Sequence, residues 1–282
     1  MNNISDKKLA KYETLINKGI SSAKKQEFRE AEKIFIDAIN YNKKKDEAYI
    51  NLANIYLINK NIHSSIKILF KYLKYEKFSK NISNYLGDIC IKYNKEDDLL
   101  ELFKISNLDQ YEVNQEKAYL FFLRGIFCEK KLNYQNAIKC YNHSIKCDKN
   151  LVNNYLKLFN LFESTNDLSN YKKILDKSYK NLNKNIYNVL DYYKCIYLYR
   201  IKNFTSSLEI ILSKNLKKSF FDNKEKLIRL LDIEAKNNEK LDKFNNAFEL
   251  ILERNRNIIS LKENEKYKKE IINDILGKYK KF

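Results

Sequence analysis

The chain has 282 residues, 44% of them hydrophobic, and its 54 basic and 36 acidic residues give a formal net charge of +18. It contains no proline and only four glycines, which predicts long helices joined by short polar turns, without a flexible linker. No apolar run approaches the roughly 20 residues that span a bilayer, and the first residues lack the apolar stretch of a signal peptide, so we expect a soluble, cytoplasmic protein.

Small or gap-filling residues recur at seven positions where the two helices of a hairpin would cross. Their successive spacings are 34, 34, 38, 34, 36 and 40 residues. The positions are Ala31, Ser65, Leu99, Ala137, Tyr171, Ser207 and Ala247. A period near 34 residues, with two helical segments in each unit, predicts an all-α solenoid of about seven helix-turn-helix hairpins.

The first and fourth predicted units, residues 12–45 and 118–151, share the clearest pattern. Residues without bulk at the glycine and alanine positions let the two helices approach closely, and we expect the aromatic residue further on to fill the space against the next hairpin. The matched positions are Gly19, Phe28, Ala31, Phe35 and Ala38 in one unit and Gly125, Tyr134, Ala137, Tyr141 and Ser144 in the other.

The remaining units are predicted at residues 46–79, 80–113, 152–185, 188–222 and 228–261. The last three keep the helical periodicity but not the glycine. Residues 262–280 form one more predicted helix with a polar outer face, which would cap the last hairpin. The prediction is therefore a single domain over residues 1–282.

The order of a glycine, an alanine twelve residues later and an aromatic residue four beyond it resembles the tetratricopeptide repeat (TPR) family. The resemblance covers nearly the whole chain. It implies a right-handed superhelix whose first helices line a concave groove, where partners bind as extended or helical peptides. This chain departs from the family pattern because it lacks the proline that ends each unit and the tryptophan of the first helix.

The register of this resemblance places polar and aromatic side chains in the groove. Asn17 and Asn51 are equivalent positions one repeat apart, and an asparagine amide both donates and accepts hydrogen bonds, so it can bind a peptide backbone of any sequence. The predicted groove residues are Asn17, Asn51, Asn54, Asn84, Tyr85, Tyr119, Phe122, Asn160, Tyr192 and Tyr193. The predicted contacts for an anionic partner are Lys130, Lys157 and Arg200.

The excess of positive charge does not by itself predict nucleic acid binding. Of the 54 basic residues 48 are lysine and six are arginine, whereas phosphate and base recognition depend on the planar arginine fork. Residues 130–220 carry 17 basic and six acidic side chains, a net charge of +11, so we expect a ligand there to be an anion or an acidic peptide. We expect a protein partner rather than a nucleic acid or a membrane.

Signatures of catalysis and of cofactor binding are absent from the sequence. Two histidines, His63 and His143, do not suffice for a histidine-centred triad or metal cage, and no two glycines lie within thirty residues of each other, as a phosphate-binding loop requires. The five cysteines include no Cys-x-x-Cys pair, and three of them occupy core-facing positions, which predicts reduced, structural thiols. We therefore expect no enzyme activity, no metal and no cofactor.

These features together predict a non-catalytic protein-interaction scaffold or adaptor. One alternative is a non-catalytic arm or fragment of a transferase, because residues 242–259 are similar to the final repeat of bacterial TPR-containing sulfotransferases. That similarity rests on Phe244, Ala247, Phe248 and Asn255. A second alternative is an RNA-associated helical repeat protein, which would need a regular code of base-reading side chains that the repeats do not show.

Overall fold

The structure, a computed structural model, describes residues 2–76, 78–110 and 113–279, with side chains for residues 9–76, 78–110 and 113–262. These residues form fifteen α-helices and two short 3₁₀ turns, and no β-strand occurs among them. The chain divides into two compact units, Met1–Asn154 and Tyr155–Phe282, each of which is described by itself. The single domain predicted over residues 1–282 stays a prediction.

Unit 1 consists of four helical hairpins in sequence. Within each hairpin the two helices pack against each other, α1 on α2, α3 on α4, α5 on α6 and α7 on α8. The helices are α1 (Asn2–Lys24), α2 (Phe28–Tyr41), α3 (Asp46–Ile58), α4 (Ile62–Tyr75), α5 (Lys80–Lys92), α6 (Glu96–Ile105), α7 (Ala118–Lys130) and α8 (Tyr134–Cys147). The predicted units at 46–79, 80–113 and 118–151 begin where α3, α5 and α7 begin, whereas α1 starts before the predicted residue 12.

Unit 2 continues the alternation of first and second helices. Its boundary falls in the first turn of α9, and α13 is a single extra turn within the sixth hairpin. The helices are α9 (Val152–Ser164), α10 (Leu168–Asn181), α11 (Tyr187–Arg200), α12 (Phe204–Ser213), α13 (Leu216–Ser219), α14 (Lys224–Lys240) and α15 (Phe244–Tyr279). Helix α11 packs on α12 and α14, and α14 packs on α15.

Each hairpin turn contains one residue with a left-handed backbone. These residues are Gln26, Lys60, Asn94, Leu132, Asn166, Lys202 and Asp242, with φ between 53° and 65°. Each lies five positions before one member of the small-residue series, so the turns repeat with the same spacings as the sequence pattern. Glycine is the usual residue for such turns, and this chain places other residues at all seven.

The residue after the left-handed position caps the second helix in four hairpins. The side-chain oxygens of Asn61, Asn133, Asp167 and Asn203 each accept a hydrogen bond from the backbone N–H three residues on. Such a cap satisfies one of the four backbone N–H groups that a helix leaves unpaired at its start. Part of the asparagine content of the chain therefore has a local structural role.

The predicted crossing points lie in the core. All seven members of the small-residue series are buried, from 0% to 5% exposed. The rings of Phe35 and Tyr141 lie directly against Gly19 and Gly125 of their own hairpins, so closely that a Cβ atom added to either glycine would overlap the ring. The aromatic residue, which was predicted to fill the space against the next hairpin, thus packs on the glycine of its own hairpin, where the two helices approach closely.

The predicted capping segment, residues 262–280, is helical but is not a separate helix. Helix α15 runs from Phe244 to Tyr279 without a break, and residue 280 lies outside the described residues. The sequence offers no glycine or proline between Phe244 and Gly277 to end the helix.

Near the end of unit 2, Arg254 of α15 donates to Asp232 of α14 at 2.5 Å, and Lys236 contacts the same carboxylate at 2.6 Å.

Candidate functional site

The first helices of unit 1 pack side by side, α1 on α3, α3 on α5 and α5 on α7. We call the surface that these four helices share the first-helix face of unit 1. Seven of the ten predicted groove residues belong to these helices. They are Asn17, Asn51, Asn54, Asn84, Tyr85, Tyr119 and Phe122.

Two tyrosines link neighbouring helices on this face. The Tyr85 hydroxyl of α5 donates a hydrogen bond to Oδ1 of Asn54 on α3. The Tyr119 hydroxyl of α7 donates to Oδ1 of Asp88 on α5 at 2.7 Å. Burial raises the pKa of both phenols, and the Asp88 carboxylate adds to the effect, so both stay protonated donors at neutral pH. Each bond spans 31 residues of sequence.

A cavity of about 240 Å³ lies between α1 and α3 on this face. Ile20, Ile55 and Ile58 contribute its aliphatic lining, and Asn51 and Asn54 contribute amides. An apolar pocket with a few polar groups is typical of ligand sites, because apolar burial supplies affinity and hydrogen bonds fix orientation. Asn51 therefore lies beside a recess with aliphatic walls, which the sequence did not reveal.

The other predicted residues of unit 1 differ in accessibility. Asn17 is exposed on α1. The amide oxygen of Asn84 is buried and has no hydrogen-bond partner in the described part of the chain. Phe122 is only 7% exposed, with its ring centroid 5.8 Å from that of Tyr141, so it belongs to the core of the α7–α8 hairpin.

Lys130, a predicted contact for an anion, is engaged within unit 1. Its ammonium donates to the Ile91 carbonyl oxygen at 3.2 Å and to Asn94 Oδ1 at 2.9 Å. Both acceptors lie at the end of α5, where unpaired carbonyl groups and the helix dipole favour a cation. Lys130 thus caps the C-terminal end of α5 in this structure.

In unit 2 the predicted aromatic residues are buried. Tyr193 of α11 stacks on Phe159 of α9 with ring centroids 4.6 Å apart, and Tyr192 packs on Phe220 at 5.4 Å. Their exposures are 5% and 3%, so these rings fill the space between helices and offer little surface to a partner. Burial raises the pKa of Tyr192 to about 12. These rings are large enough to contact the neighbouring helices, which smaller side chains at the same positions would not reach. They are therefore buried.

A charged cluster that the sequence analysis missed lies beside these rings. Arg229 of α14 donates to Glu163 of α9, and Arg200 of α11 lies 3.7 Å from the same carboxylate oxygen. The Glu163 side chain is only 12% exposed. Arg200, predicted to contact an anionic partner, is therefore paired inside unit 2, while Asn160 is exposed and Lys157 is half-buried.

Possible metal ligands and the cysteine thiols complete the description of the candidate groups. The described residues contain no group of three or more histidine, cysteine or acidic side chains that could hold a metal ion. Three cysteines were predicted to face the core, and three, Cys90, Cys140 and Cys195, are buried, which raises the pKa of each of these thiols to about 12. Within the same described ranges, no helix is long and apolar enough to cross a membrane.

Several solved structures resemble this one. The C-terminal part of a TPR repeat-containing protein from Cytophaga hutchinsonii is 14% identical, with 84% of this chain and 94% of that one covered at a TM-score of 0.59. For PilF of Pseudomonas aeruginosa the values are 12%, 73% and 91%, with a TM-score of 0.52. For a TPR protein from Parabacteroides merdae they are 13%, 87% and 92%, with a TM-score of 0.50. No protein-family model and no curated protein matches the chain.

Proposed function

The chain has the fold of TPR proteins, which confirms the predicted all-α solenoid, and from this premise we propose that it is a non-catalytic scaffold that binds a peptide or helix of a partner protein on the first-helix face of unit 1. The predicted cytoplasmic location is part of the same proposal. The observation that carries it is the recess between α1 and α3, where apolar walls and two asparagine amides are combined on an accessible surface.

The arrangement suits a peptide with an aliphatic anchor. An aliphatic side chain would enter the recess and contact Ile20 and Ile55, while the peptide backbone would exchange hydrogen bonds with Asn51. The hydrogen bonds of Tyr85 and Tyr119 join α3 to α5 and α5 to α7, so the arrangement of these helices is already fixed before a partner binds. Such preorganisation reduces the entropy that binding costs.

The test compares two variants with the unaltered chain in affinity capture from a native lysate. Asn51→Ala combined with Ile20→Asp removes an amide and places a charge in the recess, and we expect it to lose the captured protein. Asn40→Ala is the matched control, because Asn40 is exposed on α2, outside this face. If the Asn51→Ala and Ile20→Asp variant captures as much of the partner protein as Asn40→Ala and the unaltered chain, the assignment of the first-helix face is wrong.

The same experiment separates the alternative functions. A catalytic polypeptide among the captured proteins would favour the transferase-arm hypothesis, in which Phe244 and Phe248, 61% and 60% exposed, are available for contact. Absorbance of nucleic acid in the captured material, with affinity that falls steeply as salt rises, would favour the RNA hypothesis. A protein partner that depends on Asn51 and Ile20 supports the proposal above.

A further inference from the structure

A second cavity in unit 1, of about 250 Å³, combines two thiols with basic side chains. Its walls come from α7, from α8 and from the segment that follows α6. This segment accompanies the longer spacing of 38 residues between Leu99 and Ala137. The cavity is therefore a feature of this one hairpin and not of the repeat in general.

The two thiols belong to opposite helices of the hairpin. Cys128 of α7 is half-buried, Cys140 of α8 is 9% exposed, and the two thiols are close enough for each to influence the pKa of the other. The neighbouring contacts agree with this register, since Tyr141 lies against Gly125 and donates to Glu129 at 2.8 Å. Both cysteines are free thiols, and both line the cavity.

The cavity also carries an excess of positive charge. Arg124 and Lys139 line it, and Asp109 is its acidic residue, bound to Arg124 at 2.7 Å. Burial and the charges of Lys146 and Arg124 lower the pKa of His143, which keeps that imidazole neutral at pH 7. Positive charge around a cavity raises the local concentration of anions.

We propose that this cavity is an oxidation site, at which a small anionic disulfide converts Cys128 and Cys140 into an intrachain disulfide bond that joins α7 to α8. The proposal is independent of the peptide-binding function, because it concerns only the thiols and the cavity that they line.

The chemistry is two successive thiol–disulfide exchanges. The Cys128 thiolate, the more accessible of the two, attacks one sulfur of the reagent, forms a mixed disulfide and releases one thiolate. Cys140 then loses its proton, attacks Cys128 Sγ and releases the second thiolate. The two protein thiols lose two electrons and two protons in total, and the reagent is reduced to two thiols.

Burial sets the pH dependence of this reaction. It raises the pKa of Cys128, and it raises that of Cys140 to about 12, while the Arg124 guanidinium opposes both shifts. Below these pKa values the thiolate fraction grows with pH, so the rate should rise as the solution becomes more alkaline. A reducing dithiol should restore both thiols.

The test treats the full chain with glutathione disulfide, which is anionic, or with cystamine, which is cationic, and maps the products by peptide mass spectrometry. We expect a Cys128–Cys140 bridge, seen as the loss of two hydrogen atoms, that forms about tenfold faster with the anionic reagent. Lys139→Glu should reverse this preference, because Lys139 is exposed and its substitution leaves the core intact. Cys140→Ser should stop the reaction at a mixed disulfide on Cys128.

Cys147→Ser is the matched control, since Cys147 is also half-buried on α8 but does not line the cavity. We expect this variant to form the bridge at the rate of the unaltered chain. Modification at Cys147 without a Cys128–Cys140 bridge overturns the proposal. A bridge that forms equally fast with both reagents overturns the assignment of an anionic site.

Discussion

The first helices of the two units present different surfaces although they follow the same repeat. In unit 1, single hydrogen bonds from Tyr85 and Tyr119 link adjacent helices, and a recess stays open beside Asn51. In unit 2, stacked rings fill the equivalent space, and Arg229 reaches Glu163 from a helix 66 residues away in sequence. The face in unit 1 keeps an open recess, whereas the equivalent space in unit 2 is filled by internal packing.

The difference shows that register alone does not define a binding groove. A tyrosine whose hydroxyl meets a polar partner on the next helix, as Tyr85 does, stays half-buried at the surface. A tyrosine whose ring meets another ring, as Tyr193 does, leaves the surface and adds to the core. The neighbours of a position therefore decide whether its side chain stays at the surface or joins the core.

The largest contrast is expected from removing one tyrosine in each unit. Tyr193→Ala deletes a buried, stacked ring and should lower the free energy of unfolding by about 4 kcal/mol. Tyr85→Ala deletes a half-buried ring and one hydrogen bond and should cost about 1 kcal/mol. Urea unfolding monitored by circular dichroism measures both. Equal losses would mean that the two faces are packed alike.

A second contrast concerns the charged cluster of unit 2. Arg229→Met leaves the Glu163 carboxylate with Arg200 at 3.7 Å as its cation, and we expect a loss of about 2 kcal/mol, below the value for a fully buried pair because Arg229 is 42% exposed. Adding Glu163→Gln should recover about half of that loss. Arg200→Met is the control, with an expected cost below about 1 kcal/mol. No recovery in the double variant would show that packing, not charge, holds Arg229 in place.

Much of the fold could be predicted from the sequence because its determinants are local. The small-residue series marks the helix crossings, and the left-handed turns follow it with the same spacings. The structure confirms that the members of the series are buried where the helices of each hairpin meet. Gly125 and Tyr141 were both identified as repeat positions, but the aromatic residue was expected to pack against the next hairpin, whereas Tyr141 packs on Gly125 of its own hairpin.

The candidate site was less predictable because its determinants are not local. The recess beside Asn51 depends on how α1 and α3 meet, and the pairing of Arg229 with Glu163 crosses two hairpins. A sequence signal for the cluster exists only in retrospect, in that Arg200 and Arg229 are two of just six arginines in the chain. The continuous helix α15 differs from the predicted cap because a polar outer face indicates capping but does not indicate where a helix ends.

The helix caps allow a finer comparison between equivalent positions in the two units. Asn133 and Asp167 cap α8 and α10 in the same way, and replacing either by alanine should cost about 1 kcal/mol at pH 7. Hydrogen bonds from the backbone and side chain of Asn170 lower the pKa of Asp167, so its contribution is present above the unfolded-state pKa and is lost as the pH falls through the lowered value. The Asn133 cap does not titrate. In urea unfolding, the difference in stability between Asp167→Ala and the parent should therefore disappear at acid pH. The difference between Asn133→Ala and the parent should remain.

The smallest expected effect separates two turns of equal geometry. Leu132 in unit 1 and Asn166 in unit 2 both adopt a left-handed backbone, with φ of 57° and 55°. This conformation brings the Cβ of a leucine too close to the backbone, which is destabilising, whereas asparagine tolerates it. The side chain of Leu132 is 73% exposed, so it contributes little packing. Leu132→Gly removes that cost but adds chain entropy to the unfolded state, which leaves a net gain of about 0.5 kcal/mol. For Asn166→Gly the entropy dominates, so thermal unfolding should show the first variant stabilised and the second unchanged or slightly destabilised.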